Sequence, residues 1–472
     1  MLRVGATKVD ITPKAGTHLA GSGAGEHRPA QMVIDPLYAK AIVFEADGRK
    51  VCILALDVTI ITKEWAWRIR EAARQFGFDP EAVMVHATQT HSAPCVGHIM
   101  FDPEFPDLPA DIEYLRGGET PYYEFAVERA IAAIGQANAE LRPVQLGVGT
   151  AVRDDLAFNR RGVMRDGKVC MPWFYPGQHQ PLGPTHIRHY EGPIDPEVGV
   201  LCARDEEMHV AAMILHHTCH PVNVFATRYY AVSADWPGAW SAEMRQACGE
   251  TCLPLVMNGC CGNINPWPAF TPDFTPDHRR MGRELGNSAK AVIERMTFSD
   301  VETLDWRVKR LPIPLKPADP ERLAFARDML ARHPEPLWKD TDHIDPEWFR
   351  ASSLMSVEIQ RTRSPELLYE IQTFRIGNVA LVGWPGESFV EGQLALKIAS
   401  PAKETFVAHA TTQYVGYIPV AHAFPHGGHE VDFSYWAKLV PEALDMIVET
   451  TTGMLNDLWS ANHQLQTISE VP

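Results

Sequence analysis

Short apolar runs of strand length alternate along this chain with segments in which apolar residues recur at helical spacing. The first series begins with the run Val51–Leu56 and closes with the run Val83–Val85. Between them the pattern predicts an amphipathic helix with Thr62 as its N-cap and Gly77 as its stop. A strand, a helix and a second strand form a βαβ unit, and a right-handed crossover makes the two strands parallel.

Polar residues follow both predicted strands directly. Asp57 follows the first strand, and the polar cluster Gln89–Ser92 follows the second before Pro94 ends the segment. Parallel strands end at the same edge of a sheet, and open α/β sheets bind ligands at that carboxyl edge. The pattern therefore indicates that residues 83–94 build part of a functional site.

A second unit repeats this arrangement. The run Val210–Leu215 leads into a loop with three histidines, His216, His217 and His220. A helix is predicted from the SADWPG segment to about Cys248, and the run Leu253–Met257 then leads into the loop NGCCGNINP. The repetition places both loops at one edge of the strands.

The third unit is more compact. The run Val379–Trp384 leads into PGESFVEGQLALKI, which places Glu387 near a predicted helix N-terminus. There Glu387 is either a functional carboxylate or a capping residue of the helix. Taken together, the three units predict an α/β fold in which mixed β-sheets are flanked by α-helices and the active site lies at the carboxyl edge of the strands.

The remaining pattern is consistent with a single catalytic domain over residues 1–472. Asp47-Gly48 predicts a hairpin turn, and helices are predicted over Tyr122–Leu141 and Asp277–Met296. Residues 312–370 form a charged, proline-punctuated helical excursion that would cover the fold or contact another copy in a homo-oligomer. The glycine-rich stretch Gly16–Gly25 is either a loop over the site or an ordinary surface loop.

Charge and composition exclude several classes of protein. A formal net charge of -16 without a basic run argues against a nucleic-acid-binding or anionic-membrane surface. No apolar stretch reaches the roughly 18 residues of a membrane span. Nine cysteines without metal-finger spacing indicate reduced thiols, and the first residues lack the apolar core of a secretion signal. These features predict a cytoplasmic enzyme that acts on a small molecule.

Landmark residues in the loops resemble those of one enzyme family. They follow one another in a consistent order along essentially the whole chain: Asp10–Pro13, Ala87–Pro94, Asn159–Arg160, His220–Pro221, Ser233–Gly238, Gly262–Pro266, Pro385–Glu387, and Tyr417 with Glu430. In order and spacing they resemble the catalytic domain of the neutral/alkaline non-lysosomal ceramidases, which are zinc-dependent amidases. We expect no counterpart here of that family's C-terminal immunoglobulin-like domain.

The resemblance implies a set of site residues. The family holds zinc with two His, a Glu and a Tyr, at positions that correspond to Gln89, His220, Glu387 and Tyr417. Beyond these ligands, the resemblance implies an active-site role for His91 and a substrate contact for Arg160. A serine of the family corresponds to Asn265, in the loop NGCCGNINP. A further active-site tyrosine of the family corresponds to His429. The predicted catalytic residues are therefore His91, Arg160, Asn265, Tyr417 and His429, and the predicted substrate-binding residues are Gln89, Arg160 and Asp235.

Gln89 is the departure that bears most on the chemistry. A carboxamide oxygen is a weak replacement for imidazole as a zinc ligand. Three interpretations stay open: His91 or His86 replaces the missing ligand, the site takes a weaker or harder ion through oxygen ligands, or no metal binds. The predicted metal set is His220, Glu387, Tyr417 and His91, with zinc as the cofactor.

These residues predict a metal-dependent hydrolase. Water activated by the metal would attack an amide, ester or lactone carbonyl in a small polar substrate, which we expect to be derived from a sugar. His91 would transfer the proton, and Arg160 would hold an oxyanion or a carboxylate. One alternative is a metal-free lyase or isomerase of a carbohydrate acid that uses these histidines and Tyr417 in acid/base roles. Another alternative is a non-catalytic ligand-binding homologue.

Overall fold

Three mixed β-sheets with flanking helices form the fold in a computed structural model of the chain. The structure describes residues 1–21, 27–171, 187–271 and 274–467, with side chains up to residue 460. Its α-helices are Lys63–Ala72, Thr120–Ala139, Asn223–Thr227, Asp235–Cys248, His278–Glu294, Pro320–Arg332, Pro346–Arg363, Val390–Ala399 and Ala443–Thr467. Shorter 3₁₀ segments are Ala73–Phe76, Pro80–Ala82, Ala110–Arg116 and Ala421–His426. Within the described ranges, no helix combines the length and apolarity that a membrane crossing requires.

The first sheet contains the predicted βαβ unit. Its strand order is Val83–Ala87, Arg49–Leu56, Tyr38–Ala46, Arg3–Asp10 and Arg142–Pro143. The first two strands are parallel, and the other neighbours are antiparallel. Thr62 precedes the connecting helix, and Gly77 closes its 3₁₀ extension in a left-handed conformation. The predicted crossover and the hairpin at Asp47-Gly48 are both confirmed.

The second sheet contains the second predicted unit. Its strand order is Leu253–Asn258, Val210–His217, Glu197–Arg204, Gln145–Val152 and Phe298–Ser299. Again the first two strands are parallel, because helix Asp235–Cys248 carries the chain back between them. Both strands therefore end at the same edge of this sheet.

The third sheet has the strand order Leu304–Pro314, Glu366–Ile376, Val379–Gly383 and Glu404–Ala408. Its last two strands are parallel and flank the predicted helix, which spans Val390–Ala399. The excursion predicted at 312–370 is shorter than expected, since residues 312–314 and 366–370 belong to long antiparallel strands. The excursion itself consists of the two helices Pro320–Arg332 and Pro346–Arg363. The strands before and after them are longer than predicted, because apolar residues continue to alternate with polar ones there.

Short strands tie the loops beyond the sheets to one another. Phe158–Asn159 pairs with Ile264–Asn265, and Glu387–Ser388 pairs in parallel with Tyr417–Ile418. A further parallel pair joins Met32–Val33 to Ala231–Val232, and a small sheet is formed by Val169–Cys170, Gly162–Met164 and Ile187–Tyr190. The loops that carry the predicted site residues are thereby held by backbone hydrogen bonds.

One buried core is shared by all three sheets. It includes Ile42 and Ile53 of the first sheet, Ile214 and Leu255 of the second, and Phe374, Leu381 and Phe406 of the third. Each large side chain that is fully buried contributes about 1.5–3 kcal/mol, so this contact fixes the relative orientation of the sheets. All nine cysteines are free, as predicted for reduced thiols.

Candidate functional site

Three strand ends, one from each sheet, are linked by hydrogen bonds through His86. The backbone N–H of Asn258 donates to His86 Nε2 at 3.1 Å, and His86 Nδ1 lies 2.7 Å from the carbonyl oxygen of His409. The N–H of His409 in turn donates to the carbonyl of Asn258 at 3.1 Å. Both ring nitrogens of His86 are therefore used by the backbone, which rules out the interpretation that His86 replaces the missing metal ligand.

His220 and Glu387 form the centre of the candidate site. The Nε2 atom of His220 lies 3.3 Å from Oε2 of Glu387, and both side chains are buried. The Nδ1 atom of His220 lies within hydrogen-bond distance of the carbonyl oxygens of Cys261 and Ile264. Carbonyl oxygens only accept hydrogen bonds, so Nδ1 carries the proton and a neutral ring presents the lone pair of Nε2 to the carboxylate.

A proton or a metal ion between these two atoms makes the contact favourable. A second proton on His220 would serve, but burial lowers the pKa of this histidine. Burial by itself would raise the pKa of Glu387, but a hydrogen bond donated by a protonated His220, together with the charge of Arg160, holds it well below its usual range. A carboxylate beside an imidazole nitrogen is also the donor chemistry of a metal site.

Glu387 is held by a strand pair and by a tyrosine. It lies opposite Tyr417 in the short parallel pair, and its Oε1 accepts from the hydroxyl of Tyr414 at 3.3 Å. The adjoining helix begins only at Val390, with Phe389 as its N-cap. The interpretation of Glu387 as a capping residue is therefore wrong, because its carboxylate contacts side chains of the site.

His91 lies beside this pair and is oriented by a glycine. Its ring centre is 5.4 Å from that of His220, and its Nδ1 lies 2.9 Å from the carbonyl oxygen of Gly21. The carbonyl of Gly21 can only accept, so Nε2 of His91 remains an acceptor. Burial lowers the pKa of His91 to about 3, which keeps the ring neutral. The described part of the stretch Gly16–Gly25 thus reaches the site, while residues 22–26 lie outside the described ranges.

Gln89 contacts Cys261, which in turn contacts His409, a residue that the sequence analysis missed. Its backbone is left-handed at φ 66°, and its Oε1 accepts from the thiol of Cys261 at 3.4 Å. The same sulfur lies 3.7 and 3.6 Å from the two ring nitrogens of His409. His409 was missed because it continues an apolar strand, although its position directly after Ala408 matches that of other polar residues at strand ends.

Arg160 is fixed by a buried network. Its Nε donates to Glu430 at 2.9 Å, and its guanidinium lies 5.4 Å from the centre of the Tyr417 ring. Glu430 also accepts from Arg161 at 2.7 Å, and Arg161 continues the network to Glu191. Burial would raise the pKa of Glu430, but His429 and the two arginines lower it to about 2. Arg160 is therefore held in one position beside Tyr417.

Tyr417 and His429 complete this side of the site. The rings lie edge to face with centres 5.2 Å apart, and Nη2 of Arg160 donates to His429 Nε2 at 3.2 Å. Burial and the charge of Glu387 raise the pKa of the Tyr417 phenol. The side chain of His429 is 39% exposed, so this side of the site is open to solvent at His429.

Asn265 and Asp235 differ in what surrounds them. Asn265 is buried in the strand pair with Phe158, and its Oδ1 has no partner within the described residues. Asp235 is also buried, but its oxygens accept from the N–H of Val224 at 2.8 Å and from the side chain of Asn223 at 3.2 Å. The carboxylate of Asp235 thus caps the start of a short helix, and its substrate-binding role stays a prediction.

Among the described residues, a compact group of side chains that could hold a metal ion lies away from the candidate site. The ligand atoms of Asp205, Glu207 and His209 are all within 4.8 Å of one another, which is not so for His91, His220 and Glu387 together. That cluster occupies the turn before strand Val210–His217, whereas the candidate site follows the other end of the same strand. It is an exposed acidic turn and not the predicted zinc site.

Comparison with known proteins supports the fold. No protein-family model matches the chain, and no curated protein matches it. The crystal structure of neutral ceramidase from Pseudomonas aeruginosa is similar with a TM-score of 0.68 and 19% sequence identity, over 96% of this chain and 74% of that one. A ceramidase complexed with C2 is similar with a TM-score of 0.69 and 18% identity, over 98% of this chain and 75% of that one. The chain therefore has the fold of the neutral ceramidases, and the resemblance predicted from its loop residues is confirmed at the level of the fold.

Proposed function

We propose that this protein is a metal-dependent hydrolase that cleaves an amide, ester or lactone bond. The observation that carries the proposal is the buried pair of His220 and Glu387, in which an imidazole lone pair faces a carboxylate at 3.3 Å. When a metal ion is bound, both groups would serve as its ligands. The similarity to ceramidase structures supports hydrolysis of a carbonyl compound.

The donor set suits zinc in part. His220, Glu387 and Tyr417 would supply nitrogen and oxygen ligands, and the carbonyl oxygens that orient Nδ1 of His220 are typical surroundings of a metal-bound histidine. His91 does not come close enough to both His220 and Glu387 to complete a compact set. We therefore assign His91 to proton transfer and leave Gln89 as the weak fourth donor. When bound, zinc would lower the pKa of a water molecule and polarise the substrate carbonyl.

The protein's own groups would carry the remaining steps. His91 presents an unprotonated Nε2, because its Nδ1 proton is held by Gly21, and it would take the proton of the attacking water. A hydrogen bond from Nε of Arg160 to Glu430 holds the guanidinium beside Tyr417. Its guanidinium would stabilise the oxyanion or bind a substrate carboxylate.

A small polar substrate fits the surroundings of this centre. The polar side chains around it include Gln89, His91, Arg160, His409, Tyr414 and His429. One apolar ring, Phe225, lies edge to face with His91. Such a lining suits hydroxyl and carboxylate groups better than a long acyl chain, which would leave buried polar atoms unpaired. A sugar-derived lactone or N-acyl compound is the substrate class we propose.

One observation favours a metal-free alternative. The ligand atoms of His91, His220 and Glu387 do not form a compact group, and Gln89 stands where the family has a histidine ligand. Without metal, the neutral rings of His91 and His429 could move protons in a lyase or isomerase that acts on a carbohydrate acid. Activity that survives exhaustive chelation would identify this alternative.

Metal content tests the main proposal. We expect about one zinc per chain by plasma mass spectrometry on untagged protein, lost in His220→Ala. The matched control is His209→Ala, which removes the histidine of the exposed acidic turn and should leave the metal in place. Metal that remains in His220→Ala but disappears in His209→Ala would contradict the proposal. Hydrolysis is then measured on a panel of amides, esters and sugar lactones.

A further inference from the structure

A cavity away from the candidate site lies between the first sheet and two helices of the second sheet. Its volume is about 500 Å³, within the range of small-molecule sites. One wall is built by Lys8, Tyr38 and Lys40 on neighbouring strands, and the other by helix Asp235–Cys248 with the start of helix His278–Glu294. None of the proposed hydrolytic residues lines it.

Two lysines face each other on the sheet wall. Lys8 and Lys40 are directly paired across the antiparallel ladder, an arrangement in which like charges repel. Lys40 is buried and neutralised by Asp57 at 2.9 Å. Lys8 lies 4.2 Å from the centre of the Tyr38 ring and makes no ion pair among the described residues. Burial, Arg245 and Lys40 lower the pKa of Lys8, while the more weakly acting carboxylates Asp57 and Glu250 raise it.

The helix wall adds three arginines. Arg245 pairs with Glu250, whose side chain is 85% exposed, and Arg279 lies 3.6 Å from Asp35. Arg283 makes no ion pair within the described part of the chain. Ion pairs this exposed contribute little, so these guanidinium groups remain available to a ligand. The carboxylates that line the cavity are Asp35, Asp57, Glu243 and Glu250.

The charge of this cavity contrasts with that of the whole chain. Five cationic side chains and four carboxylates line it, whereas the chain carries a net charge of -16. Of the lysines and arginines, Lys8 and Arg283 have no carboxylate of their own, and Lys8 faces a second lysine. We infer that this cavity binds a small organic anion through a phosphate or carboxylate group, held by Lys8 and by the arginine forks of the opposite wall.

A chain of hydrogen bonds connects the cavity to the candidate site. Asp35 accepts a hydrogen bond from the hydroxyl of Ser233. The N–H of Ser233 donates to the carbonyl of Ser92 at 2.9 Å, and the hydroxyl of Thr90 donates to the carbonyl of Ser233 at 2.7 Å. Thr90 and Ser92 flank His91, the proposed base. An anion bound beside Asp35 would therefore be connected, through Ser233, to the loop that carries His91.

Titration calorimetry tests this inference on the full chain. The probes are inorganic phosphate and citrate, at an ionic strength held constant with sodium chloride. We expect saturable binding of at least one probe, weakened about tenfold or more in Lys8→Ala and kept in Lys8→Arg. A response to phosphate points to phosphorylated ligands, and a response to citrate points to carboxylates. The exposed Lys14→Ala variant is the matched control and should bind as the wild type does.

Further variants keep the test decisive. Arg283 is exposed, so Arg283→Ala should fold normally and also weaken binding, even if Lys8→Ala fails to fold. Arg160→Ala should leave binding intact, because Arg160 belongs to the other site. The inference is overturned if neither probe binds beyond the sodium chloride control, if folded Lys8→Ala or Arg283→Ala binds as tightly as the wild type, or if Arg160→Ala abolishes binding.

Discussion

The Nδ1 atom of His91 lies 2.9 Å from the carbonyl oxygen of Gly21, and a Cβ atom added to Gly21 would lie 2.8 Å from the His91 ring. The glycine therefore both orients the imidazole and makes room for it. Because the carbonyl holds the proton on Nδ1, the opposite nitrogen is free to accept one. This contact gives the proposed base its position and its tautomer.

Gly21→Ala should disturb His91 without removing it. We expect kcat to fall by about tenfold or more, because the methyl group displaces the ring from the substrate. The matched control is Gly16→Ala, since Gly16 has a similar φ of 88° but nothing within 4 Å of an added Cβ. Both variants carry the same backbone strain of about 1–2 kcal/mol. Equal activity losses in the two variants would show that strain, and not contact with His91, is responsible.

His91→Ala separates proton transfer from metal binding. We expect kcat on the best carbonyl substrate to fall by about 10²–10⁴-fold while the metal content stays unchanged. Steady-state kinetics and plasma mass spectrometry on the same sample measure both quantities. Loss of the metal together with activity would instead make His91 the fourth ligand.

Gln89→His should strengthen metal binding. Imidazole is a better zinc donor than a carboxamide oxygen, so we expect affinity to rise by about tenfold or more in chelator competition. Gln75→His, on an exposed helix end, is the control for adding a histidine to the protein. An affinity that does not exceed that of the control would mean that position 89 does not face the metal.

Glu430→Gln should reduce stability most at neutral pH. The variant leaves Arg160 and Arg161 without their shared carboxylate, a loss that costs about 3–5 kcal/mol for a buried ion pair. The pKa of Glu430 is depressed from 4.5 to about 2 on folding, so its ionised form stabilises the protein above about pH 4.5. That contribution is lost as pH falls towards 2, and the difference between variant and wild type should shrink over the same range.

Urea unfolding at a series of pH values measures this effect. Glu366→Gln, at an exposed strand position, is the control and should follow the wild type at each pH. A stability difference that stays constant from pH 7 down to pH 3 would contradict the assigned role of the carboxylate.

Local patterns in the sequence were enough to predict the three strand-helix-strand units. Apolar spacing distinguishes strands from helices because side chains repeat every second residue in one and about every 3.6 residues in the other. Thr62, Gly77 and Asp47-Gly48 act within a few residues of their own position, so their effects could be predicted without tertiary contacts. The carboxyl-edge location of His220, Glu387 and His91 followed from the parallel pairs.

Side-chain partners from distant parts of the chain decided the rest. His86 and His91 are five residues apart, yet one is held by backbone groups of two other sheets and the other by Gly21. Asp235 caps a helix that begins twelve residues earlier. His409, which follows a strand of the third sheet, contacts Cys261, which follows a strand of the second. The sequence determined which strands end in polar residues, because that pattern is local. Only the packing of three sheets on one core decided which of those residues meet, because burial leaves each polar group dependent on whichever partner the fold brings to it.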